Sequence, residues 1–191
     1  AGASVYFIPG NHDWDKMGKD GLAKIRAQSQ FIELQQDSLL HFVPKNGCPD
    51  PVEITLTDSL VIIAWDSEWW LFPHQRLSED VECECSTEAE VIARMEELAY
   101  KNRFKTVVVA GHHPFLTYGI HGGFYSLKNH LFPLTEINKK LYIPLPIVGS
   151  LYPLLRRTVF LNPEDTPHPT YQKMIKQVKH VFEANPNTIY A

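Results

Sequence analysis

Apolar and polar positions along the chain form a pattern that predicts a series of short strands and amphipathic helices. Five segments have the β-branched and aromatic residues, or the strict alternation, that are typical of strands. They lie at residues 4–8, 52–56, 60–64, 105–110 and 187–191. The runs at 4–8, 60–64 and 105–110 are expected to be buried because they are almost entirely apolar. The alternation over 52–56 predicts a half-exposed strand paired with the strand at 60–64.

Apolar residues at helical spacing recur in three other segments. The predicted helices cover residues 21–36, about 87–102 and about 170–184. Asp20 is placed to cap the first helix, and Thr87 and Glu90 form the capping-box pattern at the start of the second. Regular secondary structure is thus predicted on both sides of a region that lacks it.

The region from residue 115 to residue 169 has a different character. Eight of the 14 prolines lie between Pro114 and Pro169, and periodicity fades there. Because the region also contains several aromatic residues, an ordered functional excursion is favoured over a disordered linker. The chain has 191 residues, of which 44% are hydrophobic. It is therefore large enough to bury a core, and we expect one domain or most of one.

The charge pattern narrows the class of partner. The net charge is −4 and the basic residues form no cluster, which argues against a nucleic acid or an anionic membrane surface as the main partner. No apolar stretch approaches the roughly 18 residues that would span a bilayer, so no membrane segment is predicted. A small anionic substrate would need local help from a metal ion or a histidine.

The three cysteines leave the redox environment open. Cys83 and Cys85 are too close in sequence for the usual Cys-x-x-Cys metal or redox motif. One disulfide, from Cys48 to either Cys83 or Cys85, is expected in an oxidising compartment, and three free thiols are expected in a reducing one. The cysteines therefore do not distinguish an exported protein from a cytoplasmic one.

Polar side chains follow two of the predicted strands, each group directly after a glycine. Asn11, His12 and Asp13 follow the first strand, and His112 and His113 follow the strand at 105–110. Open α/β sheets place their ligand sites at the carboxyl ends of strands, so the two loops can converge on one point. Imidazole nitrogen and amide oxygen suit Zn²⁺, Mn²⁺ or Fe. For the first loop taken alone, a tight turn with one exposed histidine is the alternative.

The two loops resemble the calcineurin-like metallophosphoesterases, and more narrowly their purple-acid-phosphatase-like branch. The resemblance rests on Gly-Asn-His-Asp at 10–13, Val-Val-Ala-Gly-His-His-Pro at 108–114 and Gly-Ile-His-Gly-Gly at 119–123. It implies an α/β fold of two packed mixed β-sheets flanked by helices, an αββα sandwich. It also implies two metal ions (Mn, Fe or Zn) at the strand ends and a small phosphate ester as substrate.

The resemblance implies a role for each matching residue. Asn11 would bind one ion through its amide oxygen, and His112 would bind the same ion through a ring nitrogen. His12 would face the substrate phosphate, oriented by Asp13, and His121 would be an acid or hydrogen-bond donor on the substrate side. The implied reaction is hydrolysis of phosphate mono- or diesters by a water that the two metal ions activate. His113 has no fixed role in the family, so a supporting or structural role is expected for it.

Some segments that the family needs do not occur among the 191 residues. These are the upstream Asp-x-His or Asp-x-Gly and Gly-Asp-x-x-Asp (or -Asn or -Tyr) segments and the downstream Gly-His-x-His segment. We therefore expect residues 1–191 to be the central part of a single metallophosphoesterase domain, incomplete at both ends and with an excursion at about 115–169. Such a fragment is not expected to turn over substrate alone. The alternative is that Asp13, Asp15 or Asp66 supplies the carboxylate that bridges the two ions.

A second function from another class is a non-catalytic module that keeps the fold and binds a partner through the proline- and aromatic-rich face. The enzyme is favoured by the joint presence of Asn11, His12, His112 and His121. A binding module has no need to keep both a metal ligand and a proton donor at the positions that the motifs give them. The resemblance leaves the compartment open, although many relatives are exported and a disulfide at Cys48 would fit export.

Overall fold

A computed structural model of the protein describes residues 2–118, 128, 131–136, 138–145 and 162–191. The strands are β1 (Val5–Phe7), β2 (Leu40–Phe42), β3 (Val52–Thr57), β4 (Leu60–Ala64), β5 (Thr106–Ala110) and β6 (Thr188–Tyr190). The helices are α1 (Gly21–Leu34), α2 (Ser67–Leu71), α3 (Glu88–Lys101) and α4 (Pro169–Phe182). Short 3₁₀ turns lie at Asp15–Met17 and Pro133–Glu136.

The strands form two sheets. The larger has the order β3-β4-β5-β6, in which β3 and β4 are antiparallel and β4, β5 and β6 run parallel. The smaller is the parallel pair β1-β2. The predicted fold class is confirmed: the protein is α/β, with two sheets and flanking helices, consistent with an αββα sandwich. Because β4, β5 and β6 are parallel, their carboxyl ends share one edge of the sheet.

A small apolar cluster connects the two sheets. Val43, which follows β2, is buried with Ile54 of β3 and Ala64 of β4, and Ile8, which follows β1, packs against this group. Burial of these side chains removes apolar surface from water and so stabilises the arrangement. It also brings the carboxyl end of β1 to the end of β4.

Two compact units make up the chain. One contains residues 1–114 and 174–191, and with them every strand of the described residues, and the other contains residues 115–173. Within the second unit, the Lys128 ammonium donates a hydrogen bond to the Tyr142 hydroxyl at 3.0 Å, and the Phe132 ring lies edge-on to Tyr142. About half of the predicted excursion, including residues 119–127 and 146–161, lies outside the described residues. The single-domain assignment stays a prediction.

Several local predictions are confirmed, and others are wrong for reasons of tertiary context. The predicted capping box of α3 forms in both directions between Thr87 and Glu90. Asp20 makes no side-chain cap to α1. The prediction that β1 is buried is wrong. Its three side chains are 38–43% exposed, and because successive side chains point to opposite faces, both faces of this two-stranded sheet are partly uncovered. The sequence pattern missed β2 and α2. The histidine at the centre of Leu-His-Phe in β2 interrupts its apolar run, unlike the continuous run that marks the equally short β1, and the five residues of α2 carry too few positions for a helical period.

The cysteines pair in one of the two expected ways. Cys48 and Cys83 form a disulfide, and Cys85 is a buried free thiol. A disulfide of this kind persists in an oxidising compartment. Among the helices of the described residues, none combines the length and the apolar character required to cross a membrane.

Candidate functional site

Three loops meet at the carboxyl ends of the strands: the β1 loop (residues 8–20), the β4 loop (residues 65–67) and the β5 loop (residues 111–114). The β1 loop begins with a tight turn, in which the backbone carbonyl of Gly10 accepts hydrogen bonds from the Asp13 and Trp14 amides at 3.0 and 3.2 Å. The Asp13 carboxylate closes the turn by accepting a hydrogen bond from the Gly10 amide at 2.9 Å. The turn that carries Asn11 and His12 is thus held by its own backbone and one carboxylate.

The β1 and β5 loops touch where the imidazole of His112 lies against Gly10. A Cβ added at Gly10 would lie 2.6 Å from Nδ1, 2.7 Å from Cγ and 2.8 Å from Cε1 of His112. Real Cβ atoms do not approach this closely, so only glycine allows the ring to lie there. Asn11 is the next residue, so its backbone is adjacent in sequence to the glycine that the His112 ring contacts.

The β1 and β4 loops are joined through Asp66. Its Oδ2 accepts a hydrogen bond from the indole Nε1 of Trp14 at 2.7 Å, and its Oδ1 accepts from the amides of Glu68 and Trp69 at 3.0 and 3.1 Å. Asp66 is therefore the N-cap of α2 as well as the anchor of the β1 loop. Trp14 is fully buried and Asp66 is 2% exposed, so this connection is shielded from water.

The β4 and β5 loops are joined through Ser67 and His113. The Ser67 hydroxyl lies 2.9 Å from His113 Nδ1 and accepts a hydrogen bond from the His113 amide at 3.1 Å. His113 Nε2 lies 3.4 Å from the Glu68 carboxylate. All three side chains are buried. This arrangement holds the ring of His113 in place and fixes the backbone that presents His112, whose ring stands edge-on to it.

The end of the β1 loop has an unusual backbone. Asp15, Lys16 and Met17 have φ values of 59°, 52° and 63°, which is the left-handed region that non-glycine residues rarely adopt. Each such residue costs about 1–2 kcal/mol. The Lys16 amide donates to the Asn11 carbonyl at 2.7 Å, and Asp15 pairs with Lys24 of α1. Such strain persists only where the surroundings impose it, and it is most common at functional sites.

The predicted site residues fall into three groups. Asn11 is half-buried and His12 and His112 are exposed, and they lie on the two loops that touch at Gly10. Among the described residues, the Asp13 carboxylate makes no hydrogen bond to the His12 ring, so its orienting role stays a prediction. His121 lies outside the described residues. The three alternative bridging carboxylates each have partners: Asp66 accepts from three donors, Asp13 accepts from the Gly10 amide, and Asp15 pairs with Lys24. Their bridging role stays a prediction.

The sequence pattern did not identify the residues that hold the three loops together, which are Trp14, Ser67 and Glu68. A sequence signal for the start of α2, where Ser67 and Glu68 lie, was present at Trp65-Asp66-Ser67. These residues follow a strand and contain two good N-cap residue types. The donors at Asn11 and His112, an amide oxygen and an imidazole nitrogen, fit a first-row metal ion. Among the described residues, a group with metal-ligand chemistry lies elsewhere, where the sulfur atoms of Cys48 and Cys83 and a carboxylate oxygen of Asp50 are within 4.8 Å of one another.

Asp66 predicts a pH dependence of stability. Burial raises the pKa of Asp66 to about 7, outweighing its three donors, and the charge of Asp13 acts in the same direction. Because this pKa lies above the value of about 3.9 in an unfolded chain, the folded protein binds more protons between these two values. The contribution of Asp66 to stability is therefore complete below about pH 4 and is lost as the pH rises to about 7.

The measurement is the free energy of unfolding of the natural protein and of Asp66→Asn across this range. The asparagine amide does not titrate, so the difference between the two proteins isolates Asp66. We expect this difference to change by up to about 1.4 kcal/mol per pH unit. Two profiles that run parallel would contradict the assignment.

No protein-family model matches the chain, and no curated protein or solved structure matches it.

Proposed function

We propose that the chain carries part of the active site of a metal-dependent phosphoesterase that hydrolyses phosphate mono- or diesters. The observation that carries this proposal is the contact of the His112 ring with Gly10, the residue before Asn11. Two motifs about 100 residues apart in sequence meet there at the carboxyl ends of strands, where α/β folds place ligands. The proposed family is that of the calcineurin-like metallophosphoesterases, which the same two motifs resemble.

Asn11 and His112 are the residues that would hold a metal ion. The His112 atoms nearest to Gly10 are Nδ1, Cγ and Cε1, so Nε2 is the ring nitrogen farther from this contact and is the one we assign to the ion. His112 is exposed and Asn11 is half-buried, so a solvent ion can reach both. A bound metal ion would supply positive charge to the phosphate and lower the pKa of a coordinated water.

His12 is the residue that would act on the substrate. It is exposed on the same turn as Asn11, and this turn is fixed by the Gly10 carbonyl and the Asp13 carboxylate. An imidazole side chain is a common general acid, so His12 would donate a proton to the departing alkoxide oxygen. The strained backbone at Asp15–Met17 would help to hold the turn in one conformation, so that the His12 ring is presented from a fixed position.

The proposal predicts that the double variant Asn11→Ala, His112→Ala loses metal binding. Two of its ligand atoms are removed, while the residues that join the loops are untouched. Mn²⁺ bound per chain is counted at equilibrium for the natural 191 residues, the double variant and His180→Ala. His180 is an exposed histidine near the end of α4 that pairs with Glu183, and its substitution should leave binding unchanged. In the full-length protein, His12→Ala should lose most of its turnover of p-nitrophenyl phosphate, about 10²–10⁴-fold.

Equal Mn²⁺ binding by the natural chain and the double variant would contradict the proposal. Binding lost equally in His180→Ala would show a non-specific effect and would contradict it as well. Two ions per 191-residue chain would show that the chain completes its own dinuclear site, whereas a single weak ion fits ligands contributed from outside these residues. A full-length protein that turns over no phosphate ester would favour the alternative function of a binding module.

A further inference from the structure

Three sulfur atoms and one carboxylate gather in the two segments that precede β3 and α3. These segments do not include the motifs described above. Cys48 lies between β2 and β3, and Cys83 and Cys85 lie between α2 and α3. The Cys48–Cys83 disulfide connects these segments across 35 residues, with a Cα–Cα distance of 5.5 Å. The described residues place Asp50 beside all of them, and no role has been assigned to this group.

Asp50 is held so that its carboxylate faces the disulfide. Its Oδ1 accepts a hydrogen bond from the Cys85 amide at 2.7 Å, and its Oδ2 accepts from the Glu84 amide at 3.2 Å. One carboxylate oxygen and the sulfur atoms of Cys48 and Cys83 lie within 4.8 Å of one another. The Cys85 thiol also hydrogen-bonds to this carboxylate. A carboxylate offers about four lone-pair positions, so these three donors leave room for one further ligand bond.

We propose that reduction of the Cys48–Cys83 disulfide converts this group into a Zn²⁺ site formed by the two thiolates and the Asp50 carboxylate, with water as the fourth ligand. Zinc in proteins is tetrahedral and accepts this donor set, with Zn–S bonds of about 2.3 Å. The ligand atoms of such a site are about 3.8 Å apart. The sulfur atoms reach this separation by moving apart once the bond between them is broken, and the carboxylate oxygen, which lies within 4.8 Å of both, needs to move by at most about 1 Å relative to them.

Reduction of the Cys48–Cys83 disulfide needs a reductant, and a dithiol can serve as one. The dithiol transfers two electrons and two protons to the disulfide, which yields the Cys48 and Cys83 thiols and the oxidised, cyclic disulfide of the reductant. Zn²⁺ then displaces the two thiol protons to solvent as it binds the thiolates. The protein therefore alternates between a covalent and a metal-mediated connection of the same two segments.

Both segments are fixed by contacts that do not depend on the disulfide. The Cys48 amide donates to the Lys45 carbonyl at 2.9 Å, and the Asn46 amide donates to the buried Ser29 hydroxyl of α1 at 3.0 Å. Directly after Cys85, the α3 capping box holds the chain through Thr87 and Glu90. Reduction is therefore expected to leave the two sulfur atoms near each other and near Asp50.

The site is accessible from solvent. A cavity of about 440 Å³ is lined by Cys48 and Asp50, together with the side chains of Lys45, Arg94 and Lys101. Two thiolates, one carboxylate and one Zn²⁺ have a net charge of −1. The same wall also carries Glu53, Glu82 and Glu84, so its three basic and three other acidic side chains balance. A small dithiol and a metal ion can both enter a cavity of this size.

The test uses Co²⁺ as the probe for Zn²⁺, because thiolate ligands to Co²⁺ produce a charge-transfer absorption in the near ultraviolet. All proteins carry Asn11→Ala and His112→Ala, so that the proposed phosphoesterase site does not contribute. We expect one Co²⁺ per chain with thiolate absorption after reduction by dithiothreitol and its removal under anaerobic conditions, and no such absorption in the oxidised protein. Asp50→Asn should weaken Co²⁺ binding by about tenfold or more. Cys85→Ser is the matched control and should bind Co²⁺ like its parent.

Three results would overturn the proposal. One is a reduced, folded chain that shows no thiolate absorption with Co²⁺. Another is a different set of ligands. Unchanged Co²⁺ affinity in Asp50→Asn would show that Asp50 is not a ligand, and lost Co²⁺ affinity in Cys85→Ser would show that Cys85 is one. The last is a reduced chain that has lost its near-ultraviolet circular dichroism and does not regain it with Zn²⁺. None of these results bears on the Asn11 and His112 site.

Discussion

Replacing Asp66 with alanine is expected to lower the free energy of unfolding by about 3 kcal/mol. The carboxylate accepts hydrogen bonds from the Trp14 indole and from two amides at the start of α2. Alanine leaves the buried indole Nε1 without this acceptor, which costs about 1–3 kcal/mol. Loss of the N-cap costs about 1 kcal/mol more.

Urea denaturation followed by tryptophan fluorescence measures this effect. All four tryptophans lie in the unit that contains Asp66, so the signal reports on that unit alone. The measurement is best made near pH 6, where Asp66 is mostly protonated and its replacement removes little buried charge. Asp58→Ala, in the exposed turn between β3 and β4, is the control and should change stability by less than about 0.5 kcal/mol.

The Trp14→Phe variant separates the two contributions of Asp66. Phenylalanine keeps most of the buried ring but removes the indole N–H, so in this background Asp66→Ala should cost only about 1 kcal/mol, the value of the cap. The two substitutions are then non-additive, as expected for side chains in contact. Fully additive losses would contradict the assignment of the Trp14 hydrogen bond as the connection between the β1 and β4 loops.

Replacing Gly10 with alanine is expected to lower the stability by about 1–3 kcal/mol and to weaken Mn²⁺ binding at the proposed site by more than tenfold, about 1.4 kcal/mol or more. The new Cβ would lie within 2.8 Å of three atoms of the His112 ring. Either the ring or the turn has to move, and each movement changes the position of one proposed ligand relative to the other. Urea denaturation gives the loss of stability, and equilibrium Mn²⁺ counting gives the loss of binding.

A double-mutant cycle shows whether the clash with His112 is the cause. In a His112→Ala background the ring is absent, so Gly10→Ala should cost much less stability than in the natural protein. Equal costs in the two backgrounds would place the strain elsewhere in the β1 loop and would remove the contact on which the phosphoesterase proposal rests.

The elements that could be predicted from the sequence are those whose stability is local. The strands at 60–64 and 105–110 are short apolar runs, and the α3 cap depends on residues three positions apart. Such signals are visible in any window of the chain. The pairing of β1 with β2 was not predictable in this way, because Val5 pairs with Leu40 across 35 positions and each strand has only three residues.

Residue types and their positions after strands were enough to propose which side chains carry the chemistry, because glycine, asparagine and histidine have distinct backbone and ligand properties. The side chains that hold those residues together were decided by tertiary structure. The contact of His112 with Gly10, the Trp14–Asp66 hydrogen bond and the choice of Cys83 over Cys85 as the partner of Cys48 all join positions far apart in the chain. Such contacts form only when the sheets bring their strand ends together, so no local pattern encodes them.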